Sequence, residues 1–187
     1  QKFLPLKKTS EMNIINYGYD TESVTVGKNV GPFYSGFFDG VNTKKLYTSK
    51  VNPEKHRDFF LQFCSDYLTR SFISIIWAHN WEWDFGQLFM NDWELLDGDD
   101  LKFHDEELDL DVSLNLSTPV FGIVSRGKDK IYIRDTFHFF PSSLKKVSQI
   151  LGVAVKGDPP GKLGTKIFPE KDIQPYFYGD LSAVWSL

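Results

Sequence analysis

Three short groups of residues carry side chains that could do chemistry together. Asp20-Thr21-Glu22 closes the run Asn13 to Tyr19, which is rich in Ile and Tyr and reads as a strand. Successive strand side chains alternate faces, so Asp20 and Glu22 point the same way. His79-Asn80-Trp81-Glu82-Trp83-Asp84 follows the apolar run Phe72 to Ala78. Asn80 and Asp84 are one helical turn apart and can share a face. Tyr176-Phe177-Tyr178-Gly179-Asp180 lies near the C-terminus and repeats that spacing with Tyr176 and Asp180.

Four carboxylates gathered at one point repel each other, which costs stability unless cations are present. Divalent cations remove the cost, and hard Mg²⁺ prefers oxygen ligands from a few carboxylates, water and substrate phosphate. Two such ions roughly 3.5–4 Å apart activate a water and stabilise the leaving oxygen of an in-line phosphoryl displacement. Tyr176 could orient that water by hydrogen bonding. Each group alone is weak: D-x-E is common in solvated turns, an Asn N-cap with a helix acid looks like N-x-x-x-D, and Y-x-x-x-D says almost nothing. Their order and their placement at strand ends and helix starts give the set its meaning.

The elements that must position these residues read as α/β. At 187 residues, with 41% hydrophobic and 25% charged residues, the chain fits one domain over 1–187 with a full core. One cysteine, Cys64, excludes an internal disulfide and a four-thiolate zinc site. No run is long or apolar enough for a membrane span or signal peptide, so no membrane partner and a non-secreted, intracellular protein are expected. A meander is expected from Asn13–Tyr19, Ser23–Val30, Phe33–Asp39 and Leu46–Val51. Asn52-Pro53 opens a helix whose stripe is Phe59, Phe60, Phe63 and Tyr67. Phe72 to Ala78 is a buried strand and Asp84 to Trp93 a helix. Asp97 to Asp111, with eight acids, reads as an acidic loop or turn. Strands follow at Val112–Leu116, Pro119–Arg126 and Lys130–Asp135, then a helix started by Pro141-Ser142-Ser143 and running to Leu151, stopped by Gly152, a Gly/Pro loop over Gly157–Gly164, and a final helix from Pro169 or Asp172. A mixed sheet flanked by helices results.

Charge is unevenly spread. The net charge is −4, yet Glu82 to Asp111 carries twelve acids and one lysine, and Arg126 to Lys171 carries ten bases and four acids. A polyanion held beside a carboxylate cluster, or two solvated faces of opposite sign, both fit this pattern.

Taken together, Asp20-Thr21-Glu22, His79 to Asp84 and Tyr176-x-x-x-Asp180 resemble the D-x-E, N-x-x-x-D and Y-x-x-x-D motifs of the proofreading 3′–5′ exonuclease domain of family B DNA polymerases. Within that family the chain most resembles the protein-primed polymerases of phages, viruses and linear plasmids. The likeness runs from Asn13 to the C-terminus. Ile133-Arg134-Asp135-Thr136-Phe137-His138-Phe139-Phe140-Pro141 is similar to their D-[ST]-L-x-x-h-P segment, and Val155-Lys156-Gly157-Asp158 to their K-x-x-h element. The resemblance implies a ribonuclease-H-like fold and metal-dependent removal of a 3′-terminal nucleotide from single-stranded or mispaired DNA. It implies that Asp20, Glu22, Asp84 and Asp180 hold two divalent cations, Mg²⁺ or Mn²⁺, and that Tyr176 positions the water. It further implies that Asn80, Trp83, Thr136, Phe137 and Lys156 contact the single strand, and that a polymerase domain of the same parent chain and a terminal priming protein are partners.

The chain departs from the family pattern in three places. Phe137 stands for Leu and Trp83 for Phe, both keeping an apolar surface, and Pro159-Pro160 fall where the K-x-x-h element has a hydrophobic residue. No D-x-x-S-L-Y-P or K-x-x-x-N-S-x-Y-G segment of a polymerase is present, and the chain stops seven residues after Asp180. An excised exonuclease domain is expected, with a free-standing exonuclease acting on RNA or short oligonucleotides, or a silent nucleic-acid-binding module, as the alternatives. Elsewhere the plain readings apply: His56 on the helix surface, His104 in a solvated loop, His138 in a core or groove, and Cys64 an inert buried thiol.

Overall fold

The computed structural model describes residues 13–27, 29–68, 72–89, 96–97, 100–117, 120–153 and 157–187. Strand β1 (Ile14–Val26) organises the rest. Tyr17, Tyr19 and Thr21 alternate with Gly18, Asp20 and Glu22, so one face is aromatic and the other small or acidic. Hairpin partners β2 (Asn29–Phe38) and β3 (Thr43–Tyr47) run antiparallel on one side of β1. On the other side β4 (Ile73–Ala78) runs parallel to β1, and β9 (Asp129–Asp135) parallel to β4. An antiparallel meander of β8 (Phe121–Arg126), β7 (Leu110–Asn115), β6 (Asp100–Asp105) and β5 (Leu96–Asp97) extends from β9. Among the described residues this is one nine-stranded mixed sheet of order β3-β2-β1-β4-β9-β8-β7-β6-β5.

Helices α1 (Pro53–Tyr67) and α2 (Trp81–Leu88) cover one face. Their Phe60, Phe63, Trp81 and Phe85 pack with Tyr19, Ile76, Val112, Ile131 and Ile133 in the larger core. Helix α4 (Glu170–Ser186) covers β1 and β2 on the opposite face, with Val24, Phe33, Tyr34, Ile173 and Phe177 in a second core. Helix α3 (Leu144–Leu151) rests on α4 through Leu144, Ala183 and Val184. Local signals act as expected at several ends. Asn52 caps α1 by accepting from the Lys55 N–H, with Pro53 in the first turn. Ser143 caps α3, and Gly152 closes it in the left-handed region at φ 65°. The result is the ribonuclease-H-like α/β architecture that the resemblance implies, and among the described residues no helix is long and apolar enough to cross a membrane.

Several expectations are corrected. β1 does not end at Asp20 but continues to Val26, so Asp20 and Glu22 lie within a strand. Their segment keeps pairing with β2, through a bulge between Glu22 and Ser23, after its pairing with β4 has stopped. The third strand is Thr43–Tyr47, not Leu46–Val51. Asp97–Asp111 is not a loop: Leu101, Leu110 and Val112 are buried at strand spacing, and the acids take the other face and the turn. Helix α2 starts three residues before Asp84, and Trp93 lies outside the described residues. His138 is exposed. His56 is fully buried, with Ser35 Oγ 2.6 Å from Nδ1 and Thr48 Oγ1 3.0 Å from Nε2.

Candidate metal centre

Pairing of β1 with β4 stops at Gly18 opposite Trp77, so Asp20 and Glu22 stand just past the end of β4. Ligand sites in open α/β sheets form at such carboxyl ends of parallel strands. Helix α4 comes unusually near to β1 here because Gly18 carries no side chain: a Cβ there would sit 2.8 Å from the Leu181 carbonyl oxygen and 3.0 Å from the Trp185 nitrogen. Gly36, paired with Asp20, makes the same allowance for the Phe177 ring, 2.9 Å from where its Cβ would be. This approach lays Asp180, only 1% exposed, against the acidic face of β1. One oxygen each from Asp20, Glu22 and Asp180 then lie within 4.8 Å of one another, an all-oxygen set that suits a hard divalent cation. Tyr176, one turn before Asp180 on α4, is also buried.

Asp84 reaches the same strand from the other side. Its Oδ1 accepts a 2.5 Å hydrogen bond from the hydroxyl of Thr21, the residue between the two β1 acids, and Asp84 stands outside the three-carboxylate group. Rings hold α2 in this position. Tyr19 stacks on Trp81 at 5.0 Å and 12°, and Trp81 stacks on Phe85 at 4.1 Å and 10°. The Trp81 indole N–H donates to the Arg134 carbonyl at 2.8 Å. Burial pushes the Tyr19 phenol well above its usual range, with the Asp84 and Asp20 carboxylates adding to the effect, so the ring stays neutral beside the acids.

The first turn of α2 is capped from a distance. Asp135, at the end of β9, accepts from the backbone N–H groups of Asn80 at 2.9 Å, Trp81 at 3.1 Å and Phe137 at 2.8 Å. Asn80 sits in the left-handed region at φ 73°, which asparagine tolerates better than most residues. Thr136 is buried, its hydroxyl donating to the Ala78 carbonyl at 3.0 Å and lying 2.9 Å from His79 Nδ1. Phe137 is half-buried with its ring edge-on to His79. Trp83 is 53% exposed on the outer side of α2.

Asp20, Glu22 and Asp180 therefore meet, with Tyr176 on the same helix as Asp180, and Asp84 is tied in through Thr21. Asn80, Thr136 and Phe137 form a neighbouring patch knitted by Asp135 and His79. Trp83 stands apart on the surface, and Lys156 lies outside the described residues. Two positioning residues, Thr21 and Asp135, were not among the expected site residues. Their signals were available: Thr21 shares the strand face of Tyr19, and Asp135 is an acid closing an alternating strand.

No protein-family model matches the chain, and no curated protein matches it. Among solved structures the chain is similar to Phi29 DNA polymerase complexed with single-stranded DNA, at 16% identity and a TM-score of 0.55 over 91% of this chain. It is similar to Phi29 DNA polymerase with primer-template DNA and incoming nucleotides, at 16% identity and a TM-score of 0.55 over 93% of the chain. The binary primer-template complex gives 16% identity and a TM-score of 0.54 over 91%. The chain spans 30% of the length of these polymerases. At this identity the likeness is one of fold.

Proposed function

We propose that residues 1–187 form the 3′–5′ exonuclease domain of a DNA polymerase of the protein-primed family B type, removing nucleotides as 5′-monophosphates from single-stranded or mispaired 3′ ends. The observation that carries this reading is the meeting of Asp20, Glu22 and Asp180 on β1 and α4. The fold shared with part of a polymerase supports it. Asp20, Glu22 and Asp180, with Asp84 beside them, are the residues to hold two divalent cations, Mg²⁺ or Mn²⁺. When bound, such cations activate water and stabilise the leaving oxygen of an in-line displacement. Tyr176 orients the attacking water from one turn before Asp180. Thr21 holds the Asp84 carboxylate toward β1 by its hydrogen bond. Asn80, Trp83, Thr136, Phe137 and Lys156 hold the unpaired 3′ end. Trp83 offers an exposed indole face, and the Thr136 hydroxyl, engaged by Ala78 and His79, acts through the shape it gives this patch. The polymerase domain of the parent chain and a terminal priming protein complete the proposed partners.

The test is release of mononucleotide from a 3′-labelled single-stranded DNA. In the Asp20→Ala, Glu22→Ala double variant, release falls at least about 10³-fold, the scale of losing a whole catalytic group, while DNA binding persists. Full activity in the double variant, or equal activity with all divalent metal chelated, overturns the reading. Running a matched RNA strand in parallel separates a DNA from an RNA exonuclease.

A further inference from the structure

Among the described residues, the α4-side face of the sheet is not covered throughout. On β8 and β9 the inward side chains Val124, Ile131 and Ile133 are fully buried. Strand alternation should leave polar residues outside. Instead the outer face carries Phe121, 50% exposed, with half-buried Ile123, Tyr132 and Arg134. Trp77 on β4, Arg134 on β9 and Phe121 on β8 are direct register neighbours, making an aromatic–cation–aromatic row across three strands about 4.8 Å apart. The Arg134 guanidinium lies over the Tyr132 ring at 5.4 Å, and Lys130 stands exposed on the same face of β9.

Trp77 is also a wall of a groove of about 370 Å³, with Asn16, Thr136, Phe139 and Trp185 among its other walls. Asn16 fixes both indoles. Its side-chain oxygen accepts from the Trp77 N–H at 3.0 Å, and its backbone oxygen accepts from the Trp185 N–H at 3.1 Å. Trp77 is half-buried against Leu144, Ala183 and Val184, and Trp185 meets the Phe38 ring, so with these donors used the indoles have only their remaining exposed apolar surface to offer. Phe139, 63% exposed, stands 6.5 Å from the Trp77 ring.

We propose that this groove and the Trp77–Arg134–Phe121 row bind the bases of single-stranded nucleic acid upstream of the nucleotides held at the carboxylates, a proposal that rests on the exonuclease reading. The occupant follows from the chemistry. Aromatic faces interleaved with Lys130 and Arg134 match stacked bases and their phosphates. The surface is also continuous with the site: Asn16 lies four residues from Asp20 on the same face of β1, roughly 13 Å away along the strand. Thr136 joins the groove to the patch at Asn80 through its contact with His79.

Affinity of the full chain for 5′-fluorescent oligothymidylates, read by anisotropy with divalent metal chelated, tests the proposal. The unaltered chain binds an oligomer of about twelve nucleotides at least tenfold more tightly than a trinucleotide, which the metal-centre patch alone can span. Phe139→Ala combined with Phe121→Ser removes most of that length advantage and leaves trinucleotide affinity unchanged. Phe139→Ala alone, at an exposed ring, keeps the fold and gives a partial loss. Equal affinity for the two lengths, or a length advantage unmoved in the folded variants, overturns the platform. The exonuclease reading has a separate readout, mononucleotide release from the trinucleotide in Mg²⁺. Platform binding without release removes that reading alone, and release without any effect of the substitutions removes the platform alone.

Discussion

His56 is a buried histidine held in its neutral form. Thr48 donates its hydroxyl to the Lys50 carbonyl at 2.7 Å and so accepts from His56 Nε2–H, while Ser35 donates to Nδ1. A second ring proton would force the Ser35 hydroxyl to turn from donor to acceptor, and burial lowers the imidazole from its usual 6.5 to about 4, with the Lys55 charge adding to the effect. The unfolded chain takes up this proton first as pH falls. Between pH 6.5 and 4, then, the unfolded state binds more protons and stability rises with pH. His56 removes on the order of 3 kcal/mol as pH falls through that window. Urea unfolding of the native chain is expected to steepen with acidification there, and in His56→Gln the stability–pH slope becomes shallower by up to about 1.4 kcal/mol per pH unit. Identical slopes would mean that the imidazole is not the group responsible. The inward position of His56 was legible, since it lies four residues before Phe60 on the same helix stripe. The polar residue type argued for the surface, and the partners Ser35 and Thr48 come from strand and loop segments that helix periodicity does not reveal.

At the scale of elements, the meeting of the three carboxylates depends on how near α4 stands to β1, and Gly18 sets that distance. In Gly18→Ala the new Cβ meets backbone atoms of Leu181 and Trp185, which cannot swing away as a side-chain tip can. The helix must shift and take Asp180 and Tyr176 with it. The expected cost is about 1–3 kcal/mol in stability, as for other overpacked sites. Nuclease activity is expected to fall by about 10²-fold, because misplacement of about 1 Å is enough for that. Gly86→Ala is the control: among the described residues nothing lies within 4 Å of its Cβ, and alanine suits a helix interior, so stability rises by up to about 1 kcal/mol. Denaturant curves and nucleotide release on the two variants check both signs. The same geometry explains what the sequence could and could not convey. Apolar runs and capping residues located β4, α1, α3 and α4, and the first and third motifs located the acids that meet. The start of α2 was read three residues late because its cap, Asp135, comes from a strand about 50 residues away. The length of β1 was missed because Asp20, Thr21, Glu22 and Ser23 are poor guides to a strand that β2 holds by long-range pairing.

For the molecule as a whole, members of the two charge blocks of the sequence lie at different places on one sheet. Arg134 and Lys130 lie on β9, whereas Asp100 on β6 and Asp111 on β7 occupy its outer edge. If the proposed strand crosses this sheet, its phosphates are drawn toward β9 and repelled from that edge. The clustered carboxylates make global stability a readout of cation binding. Unit charges within 4.8 Å of one another repel by roughly 3 kcal/mol or more at an effective dielectric of 20, so mutual repulsion of Asp20, Glu22 and Asp180 opposes the metal-free fold. A divalent cation bound to the native state alone reverses this, by about 2.7 kcal/mol at a hundredfold excess over its Kd. For a chain of 187 residues that is a rise in Tm of roughly 5–10 °C with Mn²⁺, and none with Na⁺ at equal ionic strength. In Asp180→Asn one charge is gone while the shape is kept. The metal-free Tm is therefore expected to exceed that of the native chain, and the Mn²⁺ shift to shrink to a small fraction. Calorimetric scans of the two proteins with and without Mn²⁺ decide it. A native Tm that ignores Mn²⁺, or an Asp180→Asn chain that responds equally, would mean that the three acids meet without forming a cation site.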